Sequence, residues 1–362
     1  MIEVKKDDFV GALKTVVPFI GNGSLAVLSS VRIRVENGNV SLETTDLTSR
    51  SVAECAATGD DVFTACVDAK RLLSVASMAP GEILHIAYDD HRLTVESGAY
   101  QCSIQGMIAD EFPGFDASEE TAKILLLSEQ LVSIIAKGGF AASDDISRQV
   151  LCGVDFNANA GRLCVTSTDG HRLGRCSTPC GGDDCRFVLP AQAVARIARV
   201  ARGEEMEICV GEKHVAFKFS GLSVYVKNEN LTYPDVDKVI PKKFTGEFTA
   251  SCPDLIAALR RVSILANEKT RLVAMNIAPG SCGISVVNRD IGGESSDTVS
   301  NDYTGDEMTI GFNSALLSQM LSLITVPTIK VAFGSATSPV MVYPEPSGGE
   351  EYLIMPLRIL AE

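Results

Sequence analysis

Asp169 and His171 stand two residues apart in the run Thr168-Asp-Gly-His-Arg-Leu173, and a carboxylate beside an imidazole is the pairing from which a general base is built. A second group begins at the same histidine: His171, Cys176, Cys180 and Cys185 are residue types that ligate zinc. Neither pattern completes a site. The spacings of five, four and five match no zinc-finger arrangement, and the chain contains no GxSxG, Walker loop or HExxH to support hydrolysis. The four residues therefore read as core thiols and a loop around Gly181-Gly182, and no metal, cofactor or catalytic residue is expected. An enzyme using Asp169 and His171, such as a hydrolase, is the alternative from another class.

The aspartate itself recurs. Asp46, Asp169 and Asp290 each close a strand-like run, VSLETTD, LCVTSTD and GISVVNRD, at gaps of 123 and 121 residues. Val67, Leu189 and Phe312 open apolar stretches at gaps of 122 and 123, and Pro113, Pro234 and Pro356 follow at 121 and 122. A fourth set, Phe9, Leu131 and Leu255, gives 122 and 124. Four landmarks in one order at one period mean a unit written three times, and that period is well above the 20 to 50 residues of solenoid repeats. Each copy has the size of a whole domain, about 120 residues. The expected boundaries are 1–118, 119–244 and 245–362.

Composition fits three folded copies. Of 362 residues, 46% are apolar and 22% charged, so no long segment reads as disordered. The start, MIEVKKDDF, lacks the apolar stretch of a signal peptide, and no run is long enough to cross a bilayer, so a cytoplasmic protein without a membrane partner is expected. Eleven scattered cysteines without a CxxC pair argue for reduced thiols.

Every copy reads as two helices and antiparallel strands, an α+β unit. The helical windows are 5–19, 68–79, 128–140, 190–202, 252–266 and 313–325. Leu131, Ile134 and Ile135 share one helical face, as do Val194, Ile197 and Val200. Hairpin turns are expected at Asn37-Gly38 and Asp89-Asp90. The connections near Asp116 to Thr121 and Lys242 to Gly246 are short and polar, and edge strands of adjacent copies can pair so that sheets run from copy to copy.

Charge separates by element. The formal net charge is −14, yet the helical windows hold 11 Lys and Arg against 5 Asp and Glu, a balance of +6, while the remainder holds 21 against 41, a balance of −20. The helical acids Asp7, Asp8, Asp68, Glu129 and Asp254 fall in first turns, where they complement the helix dipole, leaving later turns basic. Arg196, Arg199 and Arg202 form a stripe. A basic helical face with an acidic exterior suits a polyanion that passes along it without base reading.

Five motifs in register then carry a resemblance over essentially the whole chain: Thr168-Asp-Gly-His-Arg-Leu173; Tyr233-Pro-Asp with Val239-Ile-Pro-Lys242; Ile264-Leu-Ala-Asn-Glu-Lys269; Glu307-Met-Thr-Ile-Gly-Phe-Asn313; and Met355-Pro-Leu-Arg-Ile359. The chain resembles the beta subunit of the bacterial replicative DNA polymerase, the sliding clamp. The resemblance implies three DNA-clamp domains in a closed head-to-tail dimeric ring that encircles double-stranded DNA. It implies as partners the replicative polymerase, a clamp loader and other proteins with a clamp-binding motif. A peptide groove between copies two and three falls on Leu151, Thr168, Gly170, His171, Arg172, Leu173, Pro234, Val239, Pro339, Leu353, Ile354, Met355, Pro356, Leu357 and Arg358. DNA-facing positions are Lys14, Lys70, Arg71, Lys137, Arg148, Arg196, Arg199, Arg202, Arg260 and Arg261. At the subunit contact, Cys102 and Ile104 would meet Ile264 and Leu265 of a second copy.

This chain departs from the pattern at several points. Pro339 replaces a small hydroxyl residue, Cys102 a position that can be aromatic, and the loop Gly21-Asn22-Gly23 carries no charge. Leu360, Ala361 and Glu362 extend past the usual end, beside the groove. A ring serving a phage or mobile element is the second alternative.

Overall fold

The computed structural model describes residues 1–21, 25–115 and 119–359. The charge-free loop at 22–24, the connection at 116–118 and the tail at 360–362 lie outside the described residues. Contacts divide the chain into two compact units, Met1–Val132 with Cys180–Asn230, and Ser133–Pro179 with Leu231–Glu362.

In unit 1 all strands are antiparallel. From one side, Gly181–Gly182, Glu120–Leu127, Glu205–Gly211, His214–Phe219, Leu222–Lys227, Ser49–Thr58, Ile2–Lys5, Ile83–Asp89, Arg92–Ser97 and Tyr100–Gln105 are neighbours in turn. Leu222–Lys227 comes from the second sequence copy and Ser49–Thr58 from the first, paired with Leu222 opposite Ala53 and Val226 opposite Ser49. The sheet thus continues from copy to copy, as the edge-pairing expectation required. This is also why contact-dense units outnumber neither two nor follow the three sequence copies: strand pairing fuses part of the middle copy to its neighbour.

The local signals explain the elements. Asn37 and Gly38 both have positive φ, 50° and 73°, and turn the Ser30–Glu36 strand into Asn39–Thr45. The second expected hairpin turns one residue later, at Asp90 and His91 (φ 45° and 57°), because Asp89 is still paired with Arg92. Helix α1 spans Lys6–Val16 and packs against Ser49–Thr58 and against α2, Ala69–Met78. Asp68 caps α2 by accepting the Arg71 N–H at 2.8 Å. Helices α3 (Ser128–Gly138) and α4 (Ala191–Val200) complete the second copy's pair.

Unit 2 orders its larger sheet Gly153–Asn159, Arg162–Thr168, Arg172–Pro179, Glu350–Ile354, Val340–Glu345, Thr328–Phe333 and Gly246–Ser251. A four-stranded sheet runs Gly293–Ser300, Ser281–Asn288, Leu272–Ala278 and Met308–Asn313. Helices α5 (Cys252–Val262) and α6 (Ser314–Leu321) pack on each other, their core including Leu255, Leu259, Val262, Phe312, Met320, Leu321 and Tyr352. Each fully buried side chain of this kind contributes roughly 1.5–3 kcal/mol. No helix among the described residues is long and apolar enough to cross a membrane.

Candidate functional site

Asp169 organises the turn after the Arg162–Thr168 strand. Its Oδ1 accepts the backbone N–H of His171 at 2.8 Å and of Arg172 at 2.9 Å, the short-range bonding by which aspartate fixes a turn. Thr168 Oγ1 donates to the Arg172 carbonyl at 2.7 Å and accepts the Gly170 N–H at 3.1 Å. Gly170 holds φ at +87°, where a side chain would be strained. The buried Tyr233 hydroxyl accepts the Thr168 N–H at 2.9 Å. Burial raises the Tyr233 pKa, so this hydroxyl stays protonated.

A second wall comes from the C-terminal strand. Arg172 lies opposite Ile354 and Leu173 opposite Leu353. The bonding continues past the strand: Met355 N–H donates to the His171 carbonyl at 2.7 Å, and Leu357 N–H to the Gly311 carbonyl at 2.8 Å. A Cβ at Gly311 would sit 2.6 Å from the Leu357 carbonyl oxygen, so only glycine permits this approach. Leu173, Leu353 and Ile354 are buried, Met355, Pro356 and Leu357 half-buried, and Arg358 exposed. A half-exposed aliphatic row on a fixed backbone suits the apolar anchors of an extended peptide, and Met adapts to several.

The other expected groove residues attach through one neighbour each. Pro339, half-buried, precedes Val340, which pairs with Ile354. The Leu151 carbonyl accepts the Ser143 N–H at 2.8 Å, and Arg148 donates both to Ser143 Oγ (3.3 Å) and to the Asp169 carbonyl (2.9 Å). Val239 is 55% exposed after the Val236–Lys238 turn, which Arg175 holds by donating to Asp237 at 2.8 Å. Pro234 is exposed beside Tyr233.

Arg172 fixes the turn from below. Nε donates to Asp169 Oδ2 at 3.1 Å, Nη1 to Gln319 Oε1 at 2.6 Å, and the guanidinium lies 5.2 Å from the centre of the Phe140 ring. Both carboxylate oxygens of Asp169 are therefore engaged by the backbone and by Arg172, so the carboxylate serves to hold the turn. Cys176 is buried and its thiol is pushed up to about 11, the state of a packed, protonated side chain rather than a ligand thiolate. Among the described residues no His, Cys, Asp and Glu group is gathered to hold a metal ion.

The basic residues divide into two sets by how they are held. Lys137 Nζ is paired with the buried carboxylate of Glu350. Arg196 is not a free member of its stripe: Nη1 donates to Asp46 Oδ2 at 2.6 Å, above the Phe19 ring. Arg202 donates to the Gly221 carbonyl at 3.1 Å, Arg148 is held as described, and Arg261 donates to Asp297 at 2.6 Å. These contacts engage each cation with an acid, a hydroxyl or a carbonyl. Lys14, Lys70, Arg71, Arg199 and Arg260 are exposed and take part in no ion pair among the described residues.

At the proposed subunit contact, Cys102 and Ile104 lie on Tyr100–Gln105, the edge strand of unit 1. They line a hollow of about 440 Å³ with Lys70, Arg71 and Val75 of α2. Ile104 is buried at its base, so Cys102 and the unpaired strand edge present the accessible surface. In unit 2, Ile264 is 79% exposed and Leu265 half-buried, on the turn after α5.

Sequence reasoning missed three contributors. Tyr233 sat within a quoted motif without its hydroxyl being given a role. Phe140 stands 121 residues after Phe19, a repeat signal that was present but unused. Gln319 is uncharged and carried no signal.

Three family models cover the chain in order: "DNA polymerase III beta subunit, N-terminal domain" over residues 1–116, the central domain over 126–235 and the C-terminal domain over 237–358. The chain is 27% identical over 349 residues to a protein of Proteus mirabilis named beta sliding clamp, covering 94% of this chain and 95% of that one. A beta sliding clamp of Pseudomonas aeruginosa is 26% identical over 346 residues, covering 93% of each. In structure, the chain is similar to the DNA polymerase III subunit beta from Pseudomonas aeruginosa, with a TM-score of 0.95 at 24% identity over 99% of this chain and 100% of that one.

Proposed function

The chain belongs to the DNA polymerase III beta subunit family, the beta sliding clamps, and from that premise we propose that two copies join head to tail in a closed ring around duplex DNA. It is a DNA sliding clamp, a non-catalytic processivity factor. The observation that carries the reading is the family match running through all three copies of one repeated unit. We divide the chain into clamp domains at 1–118, 119–244 and 245–362.

Exposed Lys14, Lys70, Arg71, Arg199 and Arg260, on α1, α2, α4 and α5, are the charges that would meet phosphate. Contacts confined to phosphate carry no sequence preference, the behaviour of a protein that slides. Closure would use the Tyr100–Gln105 edge of one copy, with Cys102 beside its hollow, against Ile264 and Leu265 of another. The Thr168–Leu173 turn and the Met355–Leu357 row would hold clamp-binding peptides of the replicative polymerase, the loader and other partners in turn. On this reading the protein works with the replication machinery in the cytoplasm.

Ring closure is tested by molecular mass in solution. Micromolar protein should behave as twice the 38.5 kDa of one chain. A strict monomer at that concentration would remove the support for a ring.

A further inference from the structure

The Asp169 turn has a twin in unit 1. Asp46 Oδ1 accepts the N–H of Thr48 at 3.0 Å and of Ser49 at 2.6 Å, matching His171 and Arg172. Thr45 Oγ1 donates to the Ser49 carbonyl at 2.8 Å and accepts the Leu47 N–H at 3.0 Å, as Thr168 does for Arg172 and Gly170. Even the link to the neighbouring strand repeats: Lys227 N–H donates to the Thr48 carbonyl at 2.9 Å, as Met355 N–H does to His171. The backbone is one design used twice.

A guanidinium occupies the same place in both. In unit 1 it lies beside Asp46, 5.6 Å from the Phe19 ring, and in unit 2 beside Asp169, 5.2 Å from the equivalent Phe140 ring. What differs is the element that delivers it. Unit 1 sends it up from helix α4, as Arg196, and has Ser49 in the turn. Unit 2 sends it down from the turn, as Arg172, and has Gln319 on helix α6. Arg196 and Gln319 are equivalent positions, each seven residues past the aligned landmarks Leu189 and Phe312. Arg172 is only 9% exposed, so its Nη1 proton needs an internal acceptor, and Gln319 Oε1 supplies it at 2.6 Å.

We propose that Gln319 is a positioning residue of the peptide groove: by holding Arg172 onto α6 it keeps the Thr168–Leu173 wall in its peptide-accepting shape. The inference rests on the groove reading and adds to it a residue that touches no peptide. A wall that is ordered only part of the time lowers apparent affinity in proportion to that fraction.

The test uses the full chain and a fluorescent peptide carrying a polymerase clamp-binding motif. Gln319→Leu keeps the volume and removes the acceptor, and should weaken binding about tenfold, the effect of one hydrogen bond to a charged donor. Arg172→Ser should weaken it at least as much. The double variant Arg172→Ser with Gln319→Arg installs the unit 1 arrangement and should recover affinity to within about threefold of the unaltered protein, a coupling that independent sites do not show. Met355→Ala with Leu357→Ala serves as the control. If the control abolishes binding while Gln319→Leu stays within twofold of the unaltered protein, or while the double variant binds no better than Arg172→Ser, the positioning role is overturned. Should the control itself bind normally, the groove reading falls first.

Discussion

Replacing Met355 and Leu357 together by alanine should reduce affinity for a polymerase clamp-binding peptide by a hundredfold or more, while the protein keeps its dimeric mass and its melting temperature. The separation of effects follows from how the segment is held. Its backbone is fixed by Met355 N–H on the His171 carbonyl and Leu357 N–H on the Gly311 carbonyl, bonds that alanine retains. Both side chains are half-buried, so truncation removes the surface a partner would cover without opening a large cavity in the core. Central apolar anchors at interfaces each contribute about 2 kcal/mol or more, and two together account for the expected loss. Titration by fluorescence anisotropy checks it, and an affinity within twofold of the unaltered protein would show that peptides bind elsewhere.

Lys137→Ala should destabilise the fold rather than weaken DNA binding. The Glu350 carboxylate is 3% exposed and Lys137 is its cation, so removing the ammonium leaves a buried charge without its partner, at a cost of about 3–5 kcal/mol. The paired replacement Lys137→Met with Glu350→Leu removes both charges and should lose much less stability than the single change. Urea unfolding followed by circular dichroism compares the three proteins. A single variant as stable as its parent would mean that Glu350 finds water or another donor. The same substitution should leave the salt slope of DNA association unchanged, whereas Lys14→Ala or Arg199→Ala should lower it by roughly one unit per phosphate contact.

Much of this was legible in the chain. The repeat of Asp46, Asp169 and Asp290 located the turns, and Asn37-Gly38 and the Asp68 cap located a hairpin and a helix start, because each signal is local to a few residues. The helix ends were read long where the last turn tightens, as at Val17–Phe19 and Ser263–Leu265. Charge partners were not legible. Arg196 meets Asp46 across 150 residues and Lys137 meets Glu350 across 213, distances over which spacing carries no pairing information. The third aspartate is held differently: Asp290 accepts from Asn267 Nδ2 at 2.8 Å. Equal spacing in sequence marked three landmarks, but only tertiary packing decided which groups hold each aspartate.

Encirclement is tested most directly by topology. Protein loaded onto covalently closed circular DNA, then passed through a sizing column at moderate salt, should co-elute with the circle, and a single restriction cut beforehand should release it as the ring runs off the ends. Equal retention on the closed and the linearised DNA would contradict a ring that holds DNA by enclosing it.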